Sequence, residues 1–221
     1  MANYEVEPSL LAPRVPPGTE LDLWQDRCFV SLVGFMFLNT RVLGIQIPFH
    51  VNFEEVNLRF YIKREAGDDV RRAVCFVKEI VPRFAIATVA RMVYGEHYEC
   101  WQMNHERSEE FVAYDWEKNG NHNRIFVKVD KSEGVPIMGS HGGFIIEHYW
   151  GYTKRKQNRV DEYKVEHPKW ELFSVKNEVI DVNFGKTYGD EFAFLTDAKP
   201  YSVLFVKGSE IAVYKGEKIV G

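Results

Sequence analysis

The sequence predicts a mostly antiparallel β protein, built as a barrel or a strongly coiled sheet with a few short helices. Many short segments are rich in β-branched and aromatic residues and end at Gly, Pro, Asn or charged clusters. One of them, residues 55–63, alternates polar and apolar residues without interruption. The large number of predicted strands favours a closed sheet, because closure removes exposed strand edges.

The strands are predicted in chain order from these segments. The candidates are Cys28–Phe37, Val56–Lys63, Ala73–Ile80, Glu110–Trp116, Arg124–Val129, Phe144–Thr153, Val160–His167, Trp170–Val175, Tyr201–Val206 and Glu210–Tyr214. The last two are predicted to form a hairpin that turns at residues 208–209. A longer hairpin, residues 147–170, would place Tyr152 opposite Tyr163 if its turn lies at residues 157–158.

Three segments are predicted as helices. Glu7–Ala12 makes a single turn, and Asn183–Leu195 is the third candidate. Phe84–Val93 ends before Gly95, a typical C-terminal cap, and is apolar on nearly all sides, which predicts a buried helix. Because no repeat, low-complexity segment or long linker interrupts the chain, residues 1–221 are predicted to form a single domain.

Composition excludes several classes of function. The net charge of −4 and the pI of about 6.0 argue against binding to nucleic acid. No segment has the length and apolarity of a membrane span, and the N-terminus lacks a signal-peptide pattern. Three cysteines without a CxxC motif are expected to be reduced and buried. We therefore expect a cytoplasmic protein, and the absence of Gly-rich phosphate motifs predicts no cofactor.

The alternating segment EEVNLRFYIK supplies the first candidate site. Glu55, Asn57 and Arg59 would share one face of a strand, with Val56 and Leu58 on the other. An arginine can bind a carboxylate with two hydrogen bonds, and a glutamate in a partly apolar cavity can act as an acid or base. In a barrel packed against helices this polar face would look into the lumen, whereas in a sandwich it would face water.

Four phrases carry a family resemblance: FLNTRVLGIQIPFHVNFEEVNLRFYIKR, FVKEIVPRFAIATVARMVYGE, IIEHYWGYT and EYKVEHPKW. Together they resemble the uncharacterised bacterial YqjF-like family, domain of unknown function 2071, from about Asn3 to Val213. That family is grouped with the acetoacetate decarboxylase-like fold, a cone-shaped β-barrel with a central cavity, and it carries no established activity. An arginine upstream of the decarboxylases' first strand would lie before Met1, so the resemblance implies a shortened start.

The comparison with the decarboxylases implies two site residues and one missing group. NFEEVNLRFY is similar to their strand that begins with an active-site glutamate, which implies this role for Glu55. AIATVARMVYGE is similar to their helix leading to Tyr-Pro-Lys-Lys, where this chain has Tyr94, Gly95, Glu96 and His97. The decarboxylases form a Schiff base through a lysine, and a carboxylate cannot form an imine. Schiff-base decarboxylation is therefore not expected.

The end of the second predicted helix forms a further candidate cluster. If the barrel prediction holds, Tyr94 and Glu96 lie near Glu55, where two carboxylates could transfer protons to a bound carbonyl compound. Arg91, one turn earlier, could anchor a carboxylate or bond the last helix carbonyls. Ordinary polar capping of the helix end is the structural alternative.

The long predicted hairpin adds two ligand-binding candidates. Its register would place His148 opposite His167, but the neighbouring glutamates point away, so no metal site is predicted. His148 and Trp150 could form a wall of a pocket, and cross-strand aromatic pairing is the structural alternative.

The sequence thus predicts a protein that holds a small carboxylate or carbonyl compound in a barrel lumen. A lysine-independent lyase, hydratase or isomerase using Glu55 and Glu96 is the alternative from another class. The third alternative is a structural or interaction protein with an inert barrel. A homo-oligomer is left open.

Overall fold

Most of the chain is described by a computed structural model: residues 1–40, 51–93, 95, 97–155, 159–214 and 216–219, with backbone alone for 89–93. Strands dominate this part of the chain. They are β1 (Ala2–Val6), β2 (Glu20–Leu21), β3 (Cys28–Phe37), β4 (Phe53–Ala66), β5 (Asp69–Val81), β6 (Tyr98–Cys100), β7 (Gln102–Arg107), β8 (Phe111–Lys118), β9 (Asn121–Gly134), β10 (Trp150–Lys154), β11 (Val160–Glu166), β12 (Leu172–Asp181), β13 (Ser202–Val203), β14 (Phe205–Val206), β15 (Ala212–Val213) and β16 (Glu217–Ile219). The α-helices are α1 (Pro8–Leu11), α2 (Phe84–Val93), α3 (His141–Ile146) and α4 (Phe184–Tyr188), with 3-10 turns at Ala12–Arg14 and Asp190–Thr196.

The strands form two sheets. The larger follows the order β13-β1-β3-β4-β5-β10-β11-β15, with β2 paired to β4, β6 to β5 and β16 to β11. The smaller follows the order β14-β12-β9-β8-β7. Most pairings are antiparallel, but β6 and β10 run parallel to β5. The predicted β class is confirmed, whereas the described pairings do not close either sheet into a barrel.

The alternation along β4 separates an apolar face from a polar one. Leu58 and Phe60 are fully buried and belong to the main core, where they share a cluster with Trp116 and Val127 of the smaller sheet. The main core therefore lies between the two sheets. The polar residues of β4 point to the opposite side, as a period of two requires.

Helix α3 covers part of that opposite side. Phe144 and Ile145 are buried in a second cluster with Phe29 of β3 and Tyr61 of β4. The rings of Tyr61 and Phe144 lie 5.2 Å apart in an edge-to-face arrangement. This side of the sheet is therefore packed against protein rather than open to water.

The predicted strand Phe144–Thr153 is wrong in its first half, where the chain forms α3. Ser140 caps this helix, because its side chain accepts a hydrogen bond from the backbone N–H of Gly143. A short apolar run such as FII fits a buried helix as well as a strand, and only packing decides between them.

The predicted hairpin at the chain end is also wrong. β14 pairs with β12 in the smaller sheet, whereas β15 pairs with β11 in the larger one. Each of these two strands therefore pairs with a strand that is distant in the sequence, and the two do not pair with each other. Local turn chemistry at residues 208–209 could not reveal that these two partners exist.

The predicted helix Asn183–Leu195 is broken into α4 and a 3-10 turn. Gly189 separates them with a φ of 124°, a backbone conformation that residues other than glycine rarely adopt. The prediction for α2 matches Phe84–Val93, and Gly95 follows with a φ of 71°. Burial of α2 on all sides is wrong at its start, because Phe84 is 70% exposed.

Several strands have other bounds than those predicted, and the predicted strand segments do not include β1, β2, β6, β7 or β16. β9 and β12 extend the predicted segments by several residues because they pair with each other along most of their length. The short strands carry polar residues on both sides, as in QMNHER of β7. Their pairing depends on neighbours rather than on their own periodicity.

The long hairpin exists, but its register differs by one residue. Gly151 lies opposite Tyr163, and Tyr152 lies opposite Glu162. The predicted turn at residues 157–158 lies outside the described residues. Because of this one-residue difference, Tyr152 and Tyr163 lie on opposite faces of the hairpin instead of on the same face.

The observed register makes Gly151 essential for packing. A Cβ atom at this position would overlap the end of the Tyr163 ring, whose side chain is buried. We expect Gly151→Ala to lower the free energy of unfolding by about 1–3 kcal/mol, as overpacking does. Urea denaturation would measure this change. The same substitution should cost less in a Tyr163→Leu background, and an equal cost there would contradict the assigned clash.

Candidate functional site

We define the polar face by six side chains on β3, β4 and β5 that project away from the main core. Cross-strand pairing places Ser31 beside Arg59 and Asn57 beside Glu79. Within β4, Glu55 lies four residues before Arg59. Four residues span about 13 Å along a strand, so Glu55 and Arg59 lie at different ends of the polar face. The members are Ser31, Glu55, Asn57, Arg59, Tyr61 and Glu79.

The Glu55 end of the polar face is fully buried. The Glu55 carboxylate is held by the Asn57 amide, which donates to Oε1 at 2.9 Å, and by the Tyr98 hydroxyl, which donates to Oε2 at 3.1 Å. Glu55 is 2% exposed, and both Asn57 and Glu79 are 1% exposed. Burial of a charge is tolerated when hydrogen bonds replace water. These contacts hold the Glu55 carboxylate in one orientation.

The Arg59 end is half-buried and poorly paired. Nη2 of Arg59 lies 3.5 Å from the carbonyl oxygen of Ile145 and 3.8 Å from Sδ of Met1. Nε is buried and has no hydrogen-bond partner among the described residues, and none of their carboxylates forms an ion pair with this guanidinium. The guanidinium also lies 5.8 Å from the centre of the Tyr61 ring. Arg59 therefore presents donors suited to an anion.

A chain of hydrogen bonds fixes Tyr61 next to this guanidinium. The Ser31 hydroxyl donates to Oδ1 of Asn3 at 2.6 Å, so the Tyr61 hydroxyl, also 2.6 Å away, donates to Ser31. Asn3 in turn donates to Oγ of Ser202 at 2.9 Å, and Nε2 of His141 lies 2.8 Å from the same oxygen. The chain continues the polar face across β3, β1 and β13.

His148 lies against Tyr61 and forms a buried pair with Asp22. Its ring centre lies 4.7 Å from that of Tyr61, and its Nε2 lies 3.3 Å from Oδ2 of Asp22. Arg72 donates to the same Oδ2 at 2.6 Å. Burial lowers the pKa of His148 to about 4, with Arg72 and Arg59 adding to the effect against the opposing influence of Asp22. Burial raises the pKa of Asp22, but the hydrogen bonds from His148 and Arg72 outweigh it, so its pKa lies below the usual value.

The other predicted site residues do not join this cluster. Trp150 packs on the main-core side, where the guanidinium of Arg71 lies 4.2 Å from its ring centre. Tyr94 and Glu96 lie outside the described residues, as does the side chain of Arg91. The structure thus brings Glu55, Asn57, Arg59 and His148 to one side of the larger sheet.

His167 does not face His148. Its half-buried ring stacks between Tyr149, at 4.7 Å, and Trp170, at 4.0 Å. The sequence placed the two histidines opposite one another by a register that the structure does not adopt. No three His, Cys, Asp or Glu side chains within the described ranges are grouped so that they could hold a metal ion.

Lys78 does not lie on the polar face. A bulge in β5 lies between Phe76 and Lys78, so Lys78 pairs with Leu58 and projects toward the main-core side. There its ammonium group donates to the carbonyl oxygen of Thr187 at 2.7 Å and pairs with Glu99 at 2.8 Å.

Of two surface depressions, one lies away from the polar face and the other reaches a residue beside it. The larger, of about 710 Å³, is lined by residues of β1, α1 and the start of β3, away from the polar face. The smaller, of about 190 Å³, reaches Phe76, the cross-strand neighbour of Arg59, and also touches His97 and Tyr152. The chemically distinctive groups and the larger depression are therefore in different places.

Sequence reasoning missed four members of the site: Asp22, Ser31, Glu79 and Tyr98. Ser31 and Glu79 carried a signal, because each is a polar residue inside an apolar strand, in CFVSLVGF and AVCFVKEIV. Asp22 and Tyr98 carried none, since they lie in short segments that reach the site only through the fold.

Comparison with known proteins places the chain among relatives of unknown activity. The model of the family DUF2071, described as an uncharacterized conserved protein, matches residues 1–210. The uncharacterized protein YqjF of Bacillus subtilis is 25% identical over 213 residues, which cover 92% of this chain and 86% of the relative. No helix of the described residues is long and apolar enough to cross a membrane.

Solved structures show the same fold at low identity. An acetoacetate decarboxylase from Legionella pneumophila aligns with a TM-score of 0.65 and 9% identity, covering 99% of this chain and 83% of that one. The enduracididine biosynthesis enzyme MppR, complexed with pyruvate, aligns with a TM-score of 0.58 and 15% identity, covering 98% and 83%. An acetoacetate decarboxylase-like enzyme from Sphingomonas wittichii aligns with a TM-score of 0.59 and 10% identity, covering 99% and 89%.

Proposed function

Because the chain belongs to the DUF2071 family and has the fold of acetoacetate decarboxylase-like enzymes, we propose that it binds a small carboxylate or carbonyl compound on its polar face. In this proposal the polar face lines the lumen of a cone-shaped barrel in a cytoplasmic protein. Arg59 anchors the anionic group of the ligand. Glu55 and Asn57 supply oriented polar groups toward the other end.

The observation that carries the proposal is the poorly paired guanidinium of Arg59. Its buried Nε has no partner among the described residues, and its contacts to Ile145 and Met1 are long. A half-buried cation without a counter-ion is electrostatically unfavourable, and a bound carboxylate would satisfy it with paired hydrogen bonds. The other arginines of β4 and β5 that the structure describes already have carboxylate partners; they are Arg64, Arg71 and Arg72.

The structural neighbours add support for this class of ligand. MppR has the same fold and was captured with pyruvate, a small carboxylate that also bears a carbonyl group. A pocket for such a ligand needs few polar groups, placed on rigid elements and surrounded by apolar side chains. Arg59 fits this description, because it lies on a central strand beside Tyr61 and Ile145.

Thermal unfolding in the presence of small acids tests the proposal. The panel contains acetate, butanoate and pyruvate, with acetone as a neutral carbonyl compound. A ligand at about a hundred times its dissociation constant stabilises the folded state by about 2.7 kcal/mol. We expect at least one acid to raise the melting temperature of the wild type, Arg59→Met to abolish the increase, and Glu55→Gln to reduce it.

Two matched variants serve as controls. Glu54→Gln changes the adjacent glutamate, which projects to the other side of β4 and contacts His105 at 2.7 Å. Arg124→Met changes an arginine of β9 that pairs with Asp115 at 2.9 Å. Both should keep the wild-type response. A response that survives Arg59→Met, or no response to any acid, would contradict the proposed function.

Catalysis by Glu55 is the second candidate function. The buried carboxylate held by Tyr98 and Asn57 favours it, because a fixed and desolvated carboxylate is suited to proton transfer. The reaction would be an addition, elimination or isomerisation that needs no lysine. Turnover of a bound acid with a bell-shaped pH profile, lost in Glu55→Gln, would support it, and binding without turnover would support the binding protein.

A further inference from the structure

The Asp22–His148 pair adds a hydrogen-bond acceptor beside Arg59, the proposed anion anchor. Asp22 is held by Arg72 and His148, so its carboxylate is ionised and can only accept. Nε2 of His148 must therefore carry the proton that it shares with Asp22. In the neutral imidazole this leaves Nδ1 with an unprotonated lone pair.

This lone pair is buried. The side chain of His148 is 1% exposed, and Nδ1 has no hydrogen-bond partner among the described residues. The neighbouring hydroxyl of Tyr61 cannot serve, because it donates to Ser31. A buried acceptor without a donor is destabilising, and such groups mark sites that a ligand or water completes.

His148 and Arg59 lie beside the same ring. The imidazole centre is 4.7 Å from the Tyr61 ring centre, and the guanidinium carbon of Arg59 is 5.8 Å from it. The charge of Arg59 contributes to the lowered pKa of His148, as expected for groups that share one environment. Phe144 closes this environment on another side, with its ring 5.4 Å from that of His148.

Resting on the proposed function, we propose that Nδ1 of His148 accepts a hydrogen bond from the ligand that Arg59 anchors, so the preferred ligands are small acids that carry a hydroxyl group. Asp22 is a positioning residue, since it fixes the tautomer and orientation of the imidazole. The pair selects a donor, because an acid without a hydroxyl leaves Nδ1 unpaired.

Matched acids with one carbon skeleton test this selection. Calorimetric titration would compare butanoate with racemic 2-hydroxybutanoate and 3-hydroxybutanoate. We expect the wild type to bind at least one hydroxy acid about fivefold more tightly than butanoate, the effect of one buried hydrogen bond. His148→Phe keeps the ring contact with Tyr61 but removes Nδ1, so it should lose the preference and bind the hydroxy acids no more tightly than butanoate. Arg59→Met should weaken all three acids.

The outcomes separate this inference from the proposed function. Equal binding of all three acids to the wild type overturns the inference and leaves the proposed function standing. Failure of all three to bind also overturns it, whereas the proposed function is then decided by acetate and pyruvate and by whether their effect is lost in Arg59→Met.

A second measurement uses the wild-type protein alone, without ligand. Long-range ¹H–¹⁵N correlation spectra of the wild type at pH 7 report which imidazole nitrogen carries the proton. We expect His148 to be neutral, with the proton on Nε2. A proton on Nδ1, or a charged imidazole, would overturn the inference regardless of the titrations.

Discussion

Between pH 7 and pH 4 we expect His148 alone to lower the free energy of unfolding by about 3 kcal/mol. Its pKa is about 4 in the folded protein, because burial disfavours the charged imidazole, against an ordinary value of 6.5. Within this range the unfolded chain binds the additional proton, so stability falls as the pH falls. The loss begins near pH 6.5 and is complete near pH 4.

Urea denaturation at successive pH values would measure this loss. His148→Phe should remove from the slope only the contribution of about 3 kcal/mol that His148 makes, since phenylalanine keeps the ring packing without titrating. Part of the slope should remain, because burial and the charge of Arg27 also lower the pKa of His141 to about 4. His122→Phe, at an exposed histidine, should retain the wild-type slope. A slope unchanged by His148→Phe would contradict the buried neutral imidazole.

The second large effect is expected at Glu162, where Glu162→Ala should lower the free energy of unfolding by about 3 kcal/mol. This carboxylate is 5% exposed and accepts hydrogen bonds from Arg64 at 3.0 Å, from Arg71 and from the hydroxyl of Tyr152. Its removal would leave two adjacent guanidinium groups without their counter-ion and one buried hydroxyl without an acceptor. Both arginines are partly exposed, so water would compensate for part of the loss.

Equilibrium denaturation with urea would test this prediction against a neighbour on the same strand. Glu166→Ala removes an exposed glutamate that bonds Lys164 and Tyr214, and it should change stability little. Glu162→Gln, which retains an acceptor for Tyr152 but not the charge, should give an intermediate loss. Equal effects of the alanine variants at the two positions would show that the buried charge cluster does not stabilise the hairpin β10–β11.

The fold class was predictable because alternation is a local property. Along β4, each side chain of residues 55–63 has the orientation that its polarity predicts. α2 was predictable for the same reason, since its start and its end at Gly95 are encoded within a few residues. The pairing of β14 and β15 was not predictable, because each binds a strand far away in the sequence.

The candidate site was only partly predictable for a related reason. Glu55, Asn57 and Arg59 lie on one strand, so their common face follows from a period of two. His148 was named as a ligand-binding residue, but its register partner was wrong. Asp22 and His148 are 126 positions apart in the chain, and no sequence pattern near either residue predicts their contact.

The sequence by itself determined a β-rich chain with a polar face along β4. Tertiary structure alone decided that this face is covered by α3 and not by water. It also decided that, within the described ranges, Arg64 and Arg72 have carboxylate partners and Arg59 has none. Side-chain direction is set by neighbouring backbone, whereas burial and charge compensation depend on segments that meet only in the folded chain.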